Sequence, residues 1–261
     1  MKRLFIAALL VGVGPHANAL GRLADVSIID RETGSVIATH YYKGDYWIAG
    51  RPGARYAIAI RNHLGERVLA VTAVDGVNVI SGDTASWDQT GYVFGPGESY
   101  QITGWRKSNA EVAAFEFTAA PSSYAARTGR GANVGVIGVA LFRERIPFPA
   151  EAQSQAAEPP LARLNAAAPV AAAPESAAMD RAARPDLGEK LGTGHGEREA
   201  SSVVQTDFER LQSSPNELIR LRYDSLENLL AMGVIRAPSP LRPAPEAFPA
   251  SPLARYVPDP P

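Results

Sequence analysis

The chain has 261 residues, no cysteine, and 26 basic against 27 acidic side chains, so its formal net charge is −1. The absence of cysteine excludes disulfides, thiol catalysis, covalent haem attachment and cysteine-based zinc sites. The balanced charge provides no overall field to attract nucleic acid or acidic lipid, so nucleic acid is not expected as a partner.

The first 19 residues have the pattern of a secretory signal peptide. Lys2-Arg3 forms a basic start, residues 4–13 are apolar, and Ala17-Asn18-Ala19 matches the small-x-small cleavage pattern. The apolar run is shorter than the roughly 20 residues that span a bilayer, and no later run is long enough either. We therefore expect cleavage after Ala19, a periplasmic or secreted mature protein, and no transmembrane segment after signal removal.

Residues 20–145 have the pattern of an all-β domain. Short runs rich in Val, Ile, Tyr and Phe are separated by Gly, Asp, Asn or Pro, and many of them alternate. In 55–62, for example, Tyr56, Ile58 and Ile60 share one face. Such strands predict a mainly β fold, an antiparallel β-sandwich of Ig-like or jelly-roll-like type. The candidate strands are ADVSIID, SVIATHYY, DYWIA, RYAIAIRN, RVLAVTAV, GYVF, SYQITGW, EVAAFEFTA and NVGVIGVALFRER.

The composition changes at residues 146–185, where 15 of 40 residues are Ala and 7 are Pro. Such a segment has little apolar surface to bury against the entropy of ordering. Alanine favours helix, but the scattered prolines keep any helix short. We therefore predict a disordered linker here, flexible or semi-rigid.

Residues 186–236 predict a small ββα unit that packs on the β domain. VVQTDFERL and LIRLRYD alternate around a Ser-Ser-Pro-Asn turn, which is typical of a hairpin, although a helix capped at Ser214 is the alternative. Asp224-Ser225-Leu226-Glu227 is a capping box that would begin a short helix, with Gly233 as its C-cap.

The last segment, residues 237–261, contains 9 prolines in 25 residues. Its composition predicts a disordered tail. The alternative is a polyproline docking peptide, since Pro240 and Pro243 have PxxP spacing, as do Pro249 and Pro252.

Asp75 and Asn78 are the first candidate binding residues, in the stretch AVDGVNVISGD. Their side-chain oxygens could hold a calcium ion, but the alternating ligands and closing Glu of an EF-hand are missing. Asp75-Gly76 is also a strong hairpin-turn dipeptide, so a turn is the main expectation.

Four further candidates combine rings and cations. Trp105 is followed by Arg106, a pair that could stack and hold a ligand, although tryptophan also fills cores. Arg127 and Arg130 lie among small residues in SSYAARTGRGANVG, which could be an anion-binding nest or only a surface loop.

His195 is the last candidate, in the glycine-rich stretch KLGTGHGERE. The GxGxG spacing lacks the Lys of a P-loop and the preceding strand of a dinucleotide fold. We expect a segment that leads into a strand or lies close against another backbone, with a ligand loop as the alternative. The chain has no HExxH, GxSxG or complete SxxK set, so no catalytic residue, metal site or cofactor is predicted.

The chain also resembles a group of uncharacterised exported proteobacterial proteins with no established activity. The resemblance rests on VDGVNVISGDTASWDQTGYVFGPGESYQITGWRKS, EVAAFEF, SYAARTGR, NVGVIGVALF, LGTGHGERE, FER and YDSLENLLAMGVI. It implies only that the β domain and the distal ββα unit occur together, and it assigns no functional residue.

The sequence therefore predicts an exported, non-enzymatic envelope protein that binds an unknown envelope protein or a glycan. One alternative is an exported hydrolase with a site between the β domain and the glycine-rich segment, where His195 acts as general base with Glu197 or Asp75. The other alternative is a structural or assembly protein tethered by the proline-rich tail.

Overall fold

A computed structural model describes residues 20–146 and 188–236. The predicted signal peptide, nearly all of the predicted linker and the proline-rich tail lie outside the described residues. The fold is mainly β and consists of two multi-stranded sheets, so the predicted fold class is confirmed. None of the helices in the described part is long and apolar enough to cross a membrane.

The described residues form thirteen strands and two short α-helices. The strands are β1 Ala24–Asp30, β2 Thr39–Tyr42, β3 Asp45–Gly50, β4 Arg55–Asn62, β5 Val68–Val74, β6 Val77–Asn78, β7 Tyr92–Phe94, β8 Ser99–Ile102, β9 Gly104–Arg106, β10 Glu111–Ala119, β11 Val136–Arg143, β12 Leu191–Ala200 and β13 Glu217–Ser225. The α-helices are α1 Tyr124–Arg127 and α2 Leu226–Ala231.

Sheet one has the strand order β1-β4-β10-β12, with β8 also paired to β4 and β9 to β10, all antiparallel. Sheet two has the order β2-β3-β13-β11-β5-β6, with β7 also paired to β5. Within sheet two only the β13–β3 pair is parallel. The core lies between the sheets and contains the predicted shared face of β4, Tyr56, Ile58 and Ile60, together with Phe115 and Phe117 of β10.

The hairpin expected in residues 186–236 is not formed, because β12 pairs with β10 in sheet one while β13 lies between β3 and β11 in sheet two. The alternating run 203–211 is not a strand either. Residues 201–210, the crossing segment, run from one sheet to the other. Its start is bonded to β9–β10, where Val203 N donates to Asn109 O, and its end to the residues after β11, where Arg145 N donates to Glu209 O.

The glycine-rich stretch is itself a strand, which its low strand propensity concealed. A Cβ at Gly192 would lie 2.7 Å from Ser123 Cβ and 2.8 Å from Val134 Cγ1. Only glycine therefore allows β12 to lie this close to the segments on either side of α1. A Cβ at Gly196 would likewise lie 3.0 Å from the backbone oxygen of Ala114 in β10.

Helix α2 forms where the sequence predicts it, but its N-cap is Ser225 and not Asp224, the first residue of the predicted capping box. Ser225 is the N-cap, and its Oγ accepts a hydrogen bond from Asn228 N at 3.2 Å. Gly233 adopts a positive φ of 72° after the helix, as a C-cap glycine does. Asp224 is buried, and its Oδ1 accepts a bond from Leu191 N, which ties β13 to the start of β12.

Candidate functional site

Asp75 forms the predicted two-residue turn between β5 and β6, and its side chain enters the core. Asp75 and Gly76 have φ values of 52° and 75°, as in a type I′ hairpin turn. Asp75 Oδ1 accepts bonds from Gly135 N at 2.8 Å and from Tyr223 Oη at 2.5 Å, while Oδ2 accepts one from Thr193 N at 2.8 Å. One carboxylate thus joins the residue before β11 to strands β12 and β13.

A chain of hydroxyl groups continues from this carboxylate across the core. Thr193 Oγ1 lies 2.7 Å from Tyr223 Oη and 2.7 Å from Tyr56 Oη. Because Tyr223 has one hydroxyl proton and donates it to Asp75, Thr193 must donate to Tyr223 and Tyr56 must donate to Thr193. All bonds therefore run in one direction, from Tyr56 in sheet one to the carboxylate.

Burial raises the pKa of Asp75 above its ordinary value, although bonds from Tyr223, Thr193 and Gly135 act in the opposite direction. Burial also raises the pKa of Tyr56 and of Tyr223, and the charge of Asp75 raises both further. The phenols therefore remain donors at neutral pH. Since internal donors already occupy the fully buried carboxylate, Asp75 acts as a structural anchor between strands.

Asn78 is fully buried and organises the loop that follows β6. Its Oδ1 accepts bonds from Ile80 N at 2.8 Å and Ser81 N at 3.2 Å, and its Nδ2 donates to Thr90 O at 3.2 Å. Within the two described ranges, no group of three or more His, Asp or Glu side chains could hold a metal ion.

Trp105 lies in the core, only 2% exposed. Its Nε1 donates to Gly194 O at 2.9 Å, and its ring packs edge-on against Phe115 with centroids 5.2 Å apart. The ring therefore supports β12 from inside the sandwich. Trp87, in contrast, is 52% exposed.

Arg106 borders an open cleft of about 680 Å³ between strands β7–β9 and the crossing segment. Its Nη1 donates to Ser201 O at 2.5 Å, and its Nη2 donates to Tyr92 Oη at 3.0 Å. The guanidinium thus fixes the start of the crossing segment against the sheet. The cleft is lined by Ile80, Thr90, Gly91, Tyr92, Val93, Phe94, Glu98, Tyr100, Arg106, Asn109, Ser202, Val203, Val204, Gln205, Thr206 and Asp207.

The other end of the cleft is fixed by Arg67. It forms a salt bridge with Glu144 and donates to Thr206 Oγ1 at 3.2 Å and to Asp207 O at 3.0 Å. The crossing segment is therefore held at both ends by arginine side chains.

The cleft lining combines aromatic rings with polar side chains that reach solvent. Tyr92 and Tyr100 lie with their ring centroids 5.9 Å apart, and Tyr100 is half-buried. Asn109 and Gln205 are exposed and present amide groups at the cleft. Such a surface offers apolar contact and both donors and acceptors to one ligand.

Two of the predicted residues, Arg130 and His195, lie against one ring, that of Tyr124. The His195 and Tyr124 ring centroids are 5.9 Å apart, Arg130 Cζ lies 6.0 Å from the Tyr124 centroid, and Arg127 ends the same helix. Asp75 and Asn78 lie elsewhere in the fold, and Arg106 faces the cleft.

The comparisons with known proteins leave the site to be interpreted from its own geometry. No protein-family model matches the chain, and neither the curated proteins nor the solved structures give a match. Together the fold and the cleft define a class, a two-sheet mainly β protein with an open polar and aromatic cleft at its surface.

Sequence reasoning identified Arg106 but missed most of the cleft. Asn109 and Gln205 are almost a hundred positions apart, and no local pattern indicates that the crossing segment returns over β7–β9. Tyr124 was missed as well, although it stands three positions before the named Arg127.

The direction of the hydroxyl chain predicts unequal costs for two similar substitutions. Tyr223→Phe leaves Thr193 Oγ1 without its acceptor and Asp75 without a donor, so we expect it to lower the unfolding free energy by about 2–3 kcal/mol. Tyr56→Phe removes only the first donor and should cost about 1 kcal/mol. Denaturant unfolding measures both, and an equal or reversed order would contradict the chain's direction.

The raised pKa of Asp75 predicts a pH dependence with a definite sign. The folded state binds this proton more readily than the unfolded chain, so Asp75 contributes less stability as pH rises through the interval between 3.8 and its folded pKa. Asp75→Asn removes this dependence. The unfolding free energy of the wild type, measured relative to that of the variant, should therefore be lower at about pH 7 than at about pH 3. A constant difference would refute the sign.

The bonds of Arg106 predict that a lysine cannot replace it. Lys retains the charge but cannot reach Ser201 and Tyr92 together, so Arg106→Lys should speed amide exchange at Ser201 and Val203 about tenfold. Hydrogen exchange measures this, with Arg61→Ala on the exposed face of β4 as the control. Unchanged exchange in Arg106→Lys would mean that other contacts hold the crossing segment.

Proposed function

We propose that this protein is an exported, non-enzymatic envelope protein that binds a glycan in the cleft under the crossing segment. The observation that carries the proposal is the cleft itself, about 680 Å³ in volume and lined by tyrosines, amides and carboxylates. This volume falls within the range of about 300–1,000 Å³ typical of ligand sites.

The chemistry of the lining favours a glycan over other small ligands. Sugar rings present an apolar face that packs on aromatic rings and many hydroxyls that pair with amides and carboxylates. The exposed side chains of Asn109, Gln205 and Asp207 supply such partners on both sides of the cleft.

A partner protein is the other ligand class expected from the sequence. A stable protein interface buries about 800 Å² on each side around apolar anchors. A concave cleft roofed by a single extended segment fits a chain of sugar rings better than such an interface.

Export is supported by the signal pattern of residues 1–19. Leu20, the first residue after the expected cleavage point, is buried, and it exchanges backbone bonds with Val26 at 2.9 and 2.7 Å. A mature chain that begins at Leu20 therefore keeps every residue of the described core.

The hydrolase alternative requires a carboxylate that orients His195. Asp75 is committed to Thr193, Gly135 and Tyr223, and the ion pairs of the described residues do not join His195 to Glu197. Burial lowers the pKa of His195, and the charges that lower it further are the cations Lys107, Arg198 and Arg127. No specific observation favours this alternative. The other alternative, an assembly protein tethered by its proline-rich tail, depends on residues outside the described ranges.

The glycan proposal predicts the effect of cleft substitutions. The mature protein should bind at least one glycan on an array of envelope glycans. Titration calorimetry then measures the affinity of the protein for that glycan. Asn109→Ala and Gln205→Ala should each weaken that affinity about tenfold, because each removes hydrogen bonds to the ligand.

Gln101→Ala is the matched control, since Gln101 lies on β8 next to Tyr100 but points to the opposite face of the strand. An empty array, or equal affinities in all variants, would remove the cleft as a glycan site.

A further inference from the structure

Tyr124 lies at the centre of a group of basic side chains from three separate parts of the chain. Lys107 follows β9, and its Nζ lies 5.7 Å from the Tyr124 ring centroid. Arg130 follows α1, and His195 of β12 stacks on the ring at an interplanar angle of 30°. We call Lys107, Tyr124, Arg127, Arg130 and His195 the Tyr124 cluster.

Local hydrogen bonds and ring packing hold this cluster in place. Ser123 caps helix α1, because its Oγ accepts from Ala126 N at 3.1 Å and donates to Ala120 O at 2.7 Å. Arg130 Nη1 donates to Gly82 O at 2.6 Å. Trp105 supports the Tyr124 ring from the core, with centroids 4.8 Å apart.

Within the described residues, no carboxylate forms an ion pair with the cations of the cluster. Among residues 20–146 and 188–236, the ion pairs do not include Lys107, Arg127 or Arg130. The neighbouring Arg198 makes a 3.5 Å contact with Glu111, and both side chains are about half exposed or more.

The carboxylates of β10 and β12 are Glu111, Glu116, Glu197 and Glu199. Of these, Glu111 contacts Arg198 and Glu199 is paired with Arg31 at 2.7 Å. Glu116 alternates with the inward-facing Phe115 and Phe117 and so lies on the outer face of sheet one. Glu197 and Asp83, the residue after Gly82, are exposed and take part in no ion pair of the described residues.

The charges of the cluster and of Arg198 act on its members. Burial lowers the pKa of His195, and the charges of Lys107, Arg198 and Arg127 lower it further. Burial likewise lowers the pKa of Lys107, and Arg198 adds to this effect. Like charges held together in this way repel one another, and a bound anion would turn the repulsion into attraction.

We propose that the Tyr124 cluster is a binding site for a tetrahedral oxyanion, a phosphate or sulfate group, either free or as an ester on a sugar. Arg127 offers a planar fork of donors, Lys107 offers a mobile point charge, and neutral His195 offers a ring N–H. A group with several acceptor oxygens can accept hydrogen bonds from more than one of these donors.

This site is distinct from the cleft. Arg106 and Lys107 are consecutive, and their side chains point to opposite sides, Arg106 to Tyr92 and Ser201 and Lys107 to Tyr124. Oxyanion binding at the Tyr124 cluster can therefore be tested independently of glycan binding in the cleft.

Calorimetry with inorganic phosphate, sulfate and glucose 1-phosphate, each against sodium chloride at equal ionic strength, tests the proposal. Phosphate should bind, and the combined variant Lys107→Ala/Arg127→Ala should weaken it at least about tenfold. Both side chains are exposed, so this variant should keep the wild-type unfolding midpoint. Arg61→Ala, which removes an exposed arginine elsewhere, should bind like the wild type.

The pKa of His195, followed by NMR, provides a second readout. A bound anion stabilises the imidazolium, so saturating phosphate should raise this pKa, whereas sodium chloride should not. Equal affinity for phosphate and glucose 1-phosphate supports a free-ion site, and tighter glucose 1-phosphate binding supports a sugar ester. The proposal is overturned if no probe binds beyond chloride, or if the double variant binds as the wild type does.

Discussion

The carboxylate of Asp75 is the constraint on which the arrangement of the two sheets depends. It lies in a tight turn of sheet two, yet it accepts the backbone N–H of Thr193 in sheet one and the hydroxyl of Tyr223. An ionised group without these donors would be costly to bury. The donors come from both described ranges, Gly135 from 20–146 and Thr193 and Tyr223 from 188–236, so the network is complete only when both parts of the chain are present.

The sequence predicted the sandwich because alternation in strands such as β4 and β10 is a local signal. The Asp75-Gly76 turn and helix α2 were also predicted, since caps and turns depend on a few adjacent residues. Strand β12 was missed because its glycines serve close packing, which no propensity records. The cleft and the Tyr124 cluster were missed as assemblies, because they combine residues that only the pairing of strands brings together.

The end of strand β9 separates the two candidate binding surfaces, the cleft and the Tyr124 cluster. Arg106 donates hydrogen bonds to Ser201 and Tyr92 at the wall of the cleft. In the described part of the chain, the ammonium group of Lys107 instead lies over the Tyr124 ring. An arginine with satisfied donors acts as a structural fork, while an ammonium group over a ring keeps donors for another molecule. The same alternation that builds a sheet thus places a fixed cation and an available cation on opposite sides of one strand.

The central position of β13 has a consequence for the order of folding. A chain is synthesised from its N-terminus, so β3 and β11 exist before the strand that lies between them in sheet two. Until β13 arrives, both present unpaired backbone edges, which are the usual starting points of aggregation. The sandwich is therefore completed late in folding. The chain is most prone to aggregate with other copies of itself before β13 has paired.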